Sequence, residues 1–285
     1  MPRLIDTSDT PAIDFDAFTD ALDASTIDIA DEAAFATLAP LLAALGNNRD
    51  FLADAALEAL KRDSVALPEQ RYGPQVLLLR PPDSRFVLRA NFWPAADDAV
   101  MRASGPESFF YGVAHNHNFA FLTHGYLGPG YESDYWAFDP GGEPGERAGL
   151  RFLGRERLAP GTTMLTFAHR DVHRQLAPAA FSVSLNILAR APGANWRDQY
   201  LFDVDTDSIA GQMAVLPSEA LVTLAAHCSD NGRDLAMDFA ARHPCARMRA
   251  GALAACIAAN VPGAIRLAER SDAAIPPERT RSRLR

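Results

Sequence analysis

Lysine is almost missing from this chain: Lys61 is the sole one, and the remaining basic residues are arginines. Positive charge is short overall, with 27 Lys+Arg against 36 Asp+Glu and a formal net charge of −9. A chain of that balance does not bind nucleic acid non-specifically through its phosphates, so no nucleic-acid partner is expected. Only the last stretch, Arg279 to Arg285, is basic, and it is expected to be a frayed tail. Cysteine is scarce too. Cys228, Cys245 and Cys256 are odd in number and not closely paired, which excludes a disulfide framework and a zinc finger; they are expected to be buried small hydrophobes. No apolar run approaches the roughly 20 residues needed to cross a bilayer. The opening residues Met1 to Asp6 lack the apolar segment of a signal peptide, so a cytoplasmic location is expected. Walker loops, G-x-G-x-x-G and G-x-S-x-G are all absent. The arginine and alanine bias suggests a GC-rich bacterial genome.

What is present divides into three stretches. Residues 1 to about 12 look unstructured. From Phe15 to Lys61 apolar residues recur at helical spacing: Phe18, Leu22, then Phe35, Leu38, Leu41, Leu42 and Leu45. Gly46-Asn47-Asn48 is expected to end a helix, because Gly and Asn tolerate a left-handed cap. From about Ser64 the pattern changes to short β-branched and aromatic runs between Pro/Gly turns: Gln75–Leu79, Arg85–Phe92, Phe109–Thr123, Tyr131–Phe138, Leu150–Leu153, Thr162–Ala168 and Phe181–Leu188. Strands without a long intervening helix imply an antiparallel barrel or sandwich. After about Ser208 helices return. The expectation is an α+β chain: an N-terminal helical segment (1–64), a central β-unit (65–207) and a C-terminal helical segment (208–285).

The chemistry concentrates in the β-unit, where five of the seven histidines lie between 115 and 173. In Phe109–Thr123 the sequence His115-Asn116-His117 puts two imidazoles on one face of one strand, and Asn116 and Asn118 on the other. Two imidazoles on a rigid strand are half of a transition-metal site. A third, from the segment His169-Arg170-Asp171-Val172-His173 after the Pro160-Gly161 turn, would complete it. His173 is the first choice and His169 the reserve. His124 falls at an odd offset from His117, on the opposite strand face, and is assigned a non-ligand role. Glu132 and Asp134 share a strand face and are expected to face solvent. Asp203, Asp205 and Asp207 lack the glycine and glutamate of an EF-hand and are expected to form a solvated turn. His-Asn-His also occurs in a nuclease motif, but the basic ββα-metal context is missing.

Taken in order, Gly112, His115-x-His117, Gly128, Gly130, Pro160-Gly161 and a later histidine resemble the two-part motif of the cupin superfamily. More narrowly, the chain is similar to cysteine dioxygenase-like thiol dioxygenases over about residues 75 to 190. The family's Leu-His-Arg segment has Val172-His173-Arg174 in its place, and its Val-Ser-Leu strand has Val183-Ser184-Leu185. The family's carboxylate-clamping arginine has a counterpart in Arg89. The resemblance implies a double-stranded β-helix, an iron(II) held by His115, His117 and His173, dioxygen as co-substrate and a small carboxylate-bearing substrate, such as an amino acid or thiol. The donor set alone is equally open to nickel, copper or zinc. Where most cupins carry a glutamate ligand, Phe121 or Leu122 stands here, in keeping with a three-histidine site. Leu122 and Leu188 occupy the places of the animal-type cysteine–tyrosine crosslink. The family's Ser-His-Tyr relay becomes Ser184, Asn186 and Leu188, so Ser184 and Asn186 are candidates for hydrogen bonding in the site, with Tyr111, Tyr126, Tyr131 or Tyr135 replacing the phenol.

The expectation is therefore a cupin-type non-haem iron oxygenase, with Arg89, Ser184 and Asn186 serving the substrate side. The alternative is a metal-sensing or inactive cupin whose helical segments bind a protein partner or a second copy of the chain. A barrel holding zinc for a non-redox reaction is a third reading.

Overall fold

A computed structural model describes residues 2–63, 73–83, 85–213 and 217–270; the basic tail expected at Arg279–Arg285 lies outside these residues. The chain splits into two compact units. One comprises Met1–Ala194 with Asp198–Met213, the other Asn195–Arg197 with Ala214–Arg285.

The first unit is α+β, as its sequence pattern predicts, with two six-stranded antiparallel sheets. Sheet one contains β1 (Arg3–Ile5), β2 (Val76–Leu78), β3 (Phe86–Trp93), β5 (Phe121–Leu127), β8 (Thr163–Thr166) and β10 (Ser182–Ala189), in the order β1-β8-β5-β10-β3-β2. Sheet two contains β4 (Ala114–His115), β6 (Tyr131–Ala137), β7 (Arg151–Leu158), β9 (Asp171–Gln175), β11 (Tyr200–Asp203) and β12 (Ser208–Gln212), in the order β12-β11-β4-β9-β6-β7. Four of these strands lie outside the predicted runs, among them β9, which carries His173. Residues 3–5, expected to be unstructured, pair with β8. Strands β11 and β12 form a hairpin across the point where the pattern predicts a return to helices. Its turn is the triple-aspartate segment: Asp203 Oδ1 accepts from the backbone of Asp205 and Thr206, and Asp207 pairs with Arg147. That is a local turn, as the missing EF-hand residues imply.

Helices α1 (Phe15–Ala24), α2 (Glu32–Ala36), α3 (Ala39–Asn47) and α4 (Phe51–Asp63) lie between β1 and β2 in the chain. Asp14 caps α1 by accepting from Ala17 N, and Asp31 caps α2 by accepting from Ala33 and Ala34. The helical apolar stripe is buried as its spacing predicts. Phe18, Leu22, Phe35, Leu42 and Leu45 share one core with Leu88, Leu122, Leu165, Leu185 and Ile187 of sheet one. A short helix, α5 (Ala99–Ser104), follows β3.

Gly46 works differently from its sequence expectation. It lies inside α3, whose C-cap, Asn48, has φ −82° and no left-handed conformation. A Cβ on Gly46 would lie 2.2 Å from Cδ2 of His124, so glycine here makes room for a ring from β5. Asn48 in turn opens the next helix, its Oδ1 accepting from Asp50 and Phe51. His124 is 1% exposed, and its Nδ1 lies 2.8 Å from Thr163 Oγ1, which is 3.0 Å from Thr7 Oγ1. Burial, and secondarily the charge of Arg49, lower its pKa to about 4.

Strand β6 departs from expectation as well. Asp134 does not face solvent: it is buried and paired with Arg155 at 2.7 Å and Arg174 at 2.8 Å. These hydrogen bonds hold its carboxyl below the usual carboxylate range against the opposing effect of burial.

The second unit contains helices α6 (Pro217–Cys228), α7 (Asp230–Arg242), α8 (Ala246–Ala258) and α9 (Ala264–Arg270). Small residues let them pack closely: Ala226, Ala236, Ala240, Ala252 and Ala255 join Val222, Met248, Leu253 and Cys256 in one core. Cys245 and Cys256 are buried as expected, but Cys228 ends its helix exposed to solvent. No described helix is long and apolar enough to cross a membrane.

Two predictions follow from the α3–β5 contact. Gly46→Ala should destabilise the first unit by roughly 1–3 kcal/mol through overpacking. In a double-mutant cycle measured by urea unfolding, most of that loss should disappear in a His124→Ala background. Because His124 is held neutral when folded and titrates near 6.5 when unfolded, the unfolded chain takes up the proton first on acidification. Its contribution is intact above pH ~6.5 and is lost as pH falls towards about 4. His124→Leu should therefore flatten the stability profile over that window by up to ~3 kcal/mol.

Candidate metal centre

The predicted single strand Phe109–Thr123 is broken. Phe109 ends a 3-10 turn, Phe110 is left-handed at φ 58°, β4 is only two residues long, and β5 begins at Phe121. His115 therefore sits on a strand and His117 on the loop just beyond it, and strand alternation alone does not align their rings. Backbone clamps do. The His117 carbonyl accepts from His169 N at 2.7 Å. Asn116, fully buried, accepts from Tyr200 N through Oδ1 at 2.7 Å and donates to the His169 carbonyl at 3.0 Å. His169 occupies the left-handed region at φ 65°, in the turn between β8 and β9. It meets the site through its peptide, and its ring is not in the cluster.

Within sheet two His115 lies directly opposite His173 in the β4–β9 register, and His173 opposite Tyr135 in the β9–β6 register. The ligand atoms of His115, His117 and His173 all fall within 4.8 Å of one another. Nε2 of His173 is 3.0 Å from Nε2 of His117 and 3.2 Å from Nε2 of His115. An ion bonded at about 2.1 Å would set neighbouring nitrogens about 3.0 Å apart at right angles and about 3.4 Å apart at tetrahedral angles. The spacing fits one shared transition-metal ion.

The outer nitrogen of His115 supports this geometry. His115 Nδ1 lies 2.9 Å from the Val113 carbonyl, which can only accept; the proton is thus on Nδ1 and the Nε2 lone pair faces the cluster. Gln199 Nε2 lies 3.4 Å from His117 Nδ1, and Gln175 Nε2 lies 3.3 Å from Nδ1 and 3.2 Å from Nε2 of His173; only with each amide turned so that its oxygen faces Nδ1 would these rings carry their protons on the outer nitrogen. Burial drives the His115 pKa down to about 4, and those of His117 and His173 well below the ordinary value; Arg89 pushes all three the same way. The rings are therefore neutral at pH 7, the state a metal ligand needs.

Opposite the histidines, sheet one presents a transverse row. Asn186 on β10 is in register with Arg89 on β3 and with Thr123 on β5. Between the sheets lies a cavity of ≈ 260 Å³, lined by His115, His117, His173, Arg89, Asn186, Thr123, Tyr131 and Tyr135 among others. Along β3 the cavity residues run Arg89, Asn91, Trp93; along sheet two they run His173, Gln175 and then Tyr131. The two series converge where Trp93 stacks on Tyr131 with ring centroids 3.9 Å apart. The cavity thus has a histidine end and an aromatic floor. Phe110, Phe119 and Phe121 surround the histidine rings at centroid distances of 4.8–5.7 Å.

Sequence reasoning placed Ser184 at the substrate side, and the structure places its hydroxyl as the acceptor of a 3.0 Å bond from Trp93 Nε1. Of the four tyrosines named as alternatives, Tyr131 and Tyr135 line the cavity. Tyr126 bonds to the Arg49 carbonyl and Tyr111 to the Pro94 carbonyl. Burial raises the pKa of Tyr135 to about 12 and that of Tyr131 further, so both phenols keep their protons. Gln175 and Gln199 escaped sequence reasoning. Gln175, two residues after His173 on one strand, was detectable from alternation; nothing local marks Gln199.

No protein-family model matches the chain, and no curated protein matches it in sequence. Solved structures similar to it include hydroquinone 1,2-dioxygenase from Sphingomonas sp. TTNP3 with 4-hydroxybenzoate bound, at 10% identity over 46% of this chain and 71% of that one, TM-score 0.28. DMSP lyase DddQ from Ruegeria pomeroyi DSS-3 is similar at 12% identity over 66% of this chain and 77% of that one, TM-score 0.30. A salicylate 1,2-dioxygenase variant from Pseudoaminobacter salicylatoxidans is similar at 12% identity over 50% of this chain and 34% of that one, TM-score 0.28. Likeness of this degree carries no argument about chemistry or substrate, which rests on the residues themselves.

The clamp and the cluster make separable predictions. His173→Asn should abolish binding of a divalent transition metal. His169→Asn, which keeps the left-handed turn accessible, should retain it, as read by metal content after dialysis. Asn116→Ala leaves Tyr200 N and the His169 carbonyl without their buried partner, and should cost about 2–4 kcal/mol in thermal or urea unfolding.

Proposed function

We propose that this chain is a cupin-type, metal-dependent oxygenase acting on a small carboxylate-bearing substrate, with iron(II) as its metal and dioxygen as co-substrate. The observation that carries the reading is the convergence of three neutral imidazoles, His115 and His173 buried and His117 half-buried, with nitrogens at 3.0 and 3.2 Å. Unprotonated nitrogens that close repel one another unless a proton or cation lies between them. The paired antiparallel sheets support the cupin reading, with the two sheets as the halves of a double-stranded β-helix.

His115, His117 and His173 would hold the ion through Nε2. An iron(II) ion held there would supply Lewis acidity and the redox capacity to bring dioxygen to an organic substrate. The chain's own groups do the rest. The Arg89 guanidinium, across the cavity from the histidines, pairs with a carboxylate through its planar fork. Asn186, its cross-strand neighbour, offers a neutral amide beside it. The protonated Tyr131 and Tyr135 phenols donate hydrogen bonds without supplying negative charge. Phe110, Phe119 and Phe121 exclude water from the histidine end, which strengthens each polar contact there. Three histidines bring no negative charge to a divalent ion, so an anionic substrate is favoured.

Elemental analysis of protein purified without chelator should show near-stoichiometric iron, with oxygen consumption on addition of substrate. His115→Ala and His117→Ala should each lose the metal. Arg89→Ala should keep it and weaken substrate binding by about 2–4 kcal/mol. Unchanged metal content in both histidine variants would remove the basis of the proposal; a metal-free wild-type protein would favour a binding or regulatory role.

A further inference from the structure

Gln199 and Met213 face each other at the end of the β11–β12 hairpin away from its turn, where Met213 N donates to the Gln199 carbonyl at 2.7 Å. Both residues line the cavity. One terminus of the Gln199 amide serves two neighbours: Nε2 lies 3.4 Å from His117 Nδ1 and 3.6 Å from Met213 Sδ. The proposed oxygenase chemistry has no use for that sulfur. Met101, Met164 and Met248 are buried, whereas Met213 is half-buried beside the histidines. Met237, also half-buried, packs in the second unit.

The terminus that the amide presents sets the tautomer of His117. An NH2 facing Nδ1 donates to it, and the ring then carries its proton on Nε2, where it occupies the lone pair that an ion needs. An oxygen facing Nδ1 accepts the proton there and frees Nε2. A thioether sulfur is only a weak acceptor, so Met213 gives the NH2 little hold, and an ion binding at Nε2 is free to turn the amide. A sulfoxide in its place is a polar group with a strong acceptor oxygen. Against the amide oxygen it sets two lone-pair-bearing oxygens face to face; against the NH2 it gains a hydrogen bond. Oxidation therefore holds the amide in the orientation that blocks Nε2.

Resting on the reading of the site given above, we infer that Met213 is an oxidation site through which hydrogen peroxide lowers the affinity of the histidine cluster for its metal. The sulfur lone pair attacks one peroxide oxygen, the S–O bond forms as the O–O bond breaks, and the departing oxygen leaves as water with both protons. Sulfur loses two electrons and peroxide gains them; no ion is needed for the step. For a protein that handles dioxygen at a redox metal, the same contact would release the metal when peroxide accumulates. The thioether is restored by a methionine sulfoxide reductase.

The test treats the metal-free full chain with hydrogen peroxide, removes the excess with catalase, locates added oxygen by peptide mass spectrometry and titrates the product with cobalt(II). Met213 should be oxidised ahead of Met101, Met164 and Met248, and cobalt affinity should fall about 10–100-fold, the usual effect of losing a hydrogen-bond partner behind a ligand. In Met213→Leu, which keeps all three cysteines, the affinity should be the same before and after treatment. In Gln199→Glu, whose carboxylate presents oxygen whichever way it turns, Met213 should still be oxidised but the affinity should hold. Met213 resisting oxidation, an unchanged affinity in the oxidised wild type, or an equal loss in either variant overturns the inference. Failure of the untreated chain to bind cobalt removes the site reading itself.

Discussion

Three imidazole lone pairs held together in a water-poor space are the constraint around which the first unit is arranged. Each ring must be neutral, correctly tautomerised and aimed, and burial enforces the first of these by disfavouring the imidazolium. The Val113 carbonyl supplies the second for His115 by taking the Nδ1 proton. Aim is the hardest requirement, because it depends on main-chain segments far apart in sequence. The register that sets His115 opposite His173 joins residues 58 positions apart. The peptide of His169 then fixes the carbonyl of His117.

The two sheets divide the chemistry between them. Sheet two supplies the histidines and the inner glutamine, while sheet one supplies the arginine–asparagine–threonine row and the inner asparagine. Neither wall is complete alone: the first would be a metal site with no recognition of a substrate, the second a polar strand face. The N-terminal helices bear on this from the far side of sheet one. Their apolar stripe covers Leu88, Leu122, Leu185 and Ile187, whose strand neighbours point into the cavity. Burying one face of β3, β5 and β10 thereby holds Arg89, Thr123 and Asn186 in place on the other.

Much of this was legible in the residues. Helical spacing identified Phe18, Leu22, Phe35, Leu42 and Leu45 as core, because amphipathic burial leaves a periodic trace. Most strands were bracketed to within a few residues by their Pro/Gly punctuation. His115, His117 and His173 were singled out on spacing and resemblance, and the structure gathers their nitrogens in one cluster. The failures have local explanations. Gly46 carries the composition of a helix cap but serves as a gap for a ring from a strand 78 residues later, a contact that leaves no mark near it. Asp134 alternates like a solvent-facing residue, yet two arginines from neighbouring strands bury it. The run Phe109–Thr123 has strand composition throughout, but the left-handed Phe110 and the clamped loop at Asn116 divide it.

By itself the sequence determined what is set by neighbours in the chain: the stripes, the turns, and a donor set of imidazoles. These depend on dihedral preferences and on the two periodicities of helix and strand, which act over a few residues. Only the tertiary structure decided between His173 and His169, and gave Gln175, Gln199 and Asn91 a place beside them. Whether a ring joins a cluster depends on cross-strand register and on the hand of one turn, and both are settled by the burial of surfaces brought together from distant parts of the chain.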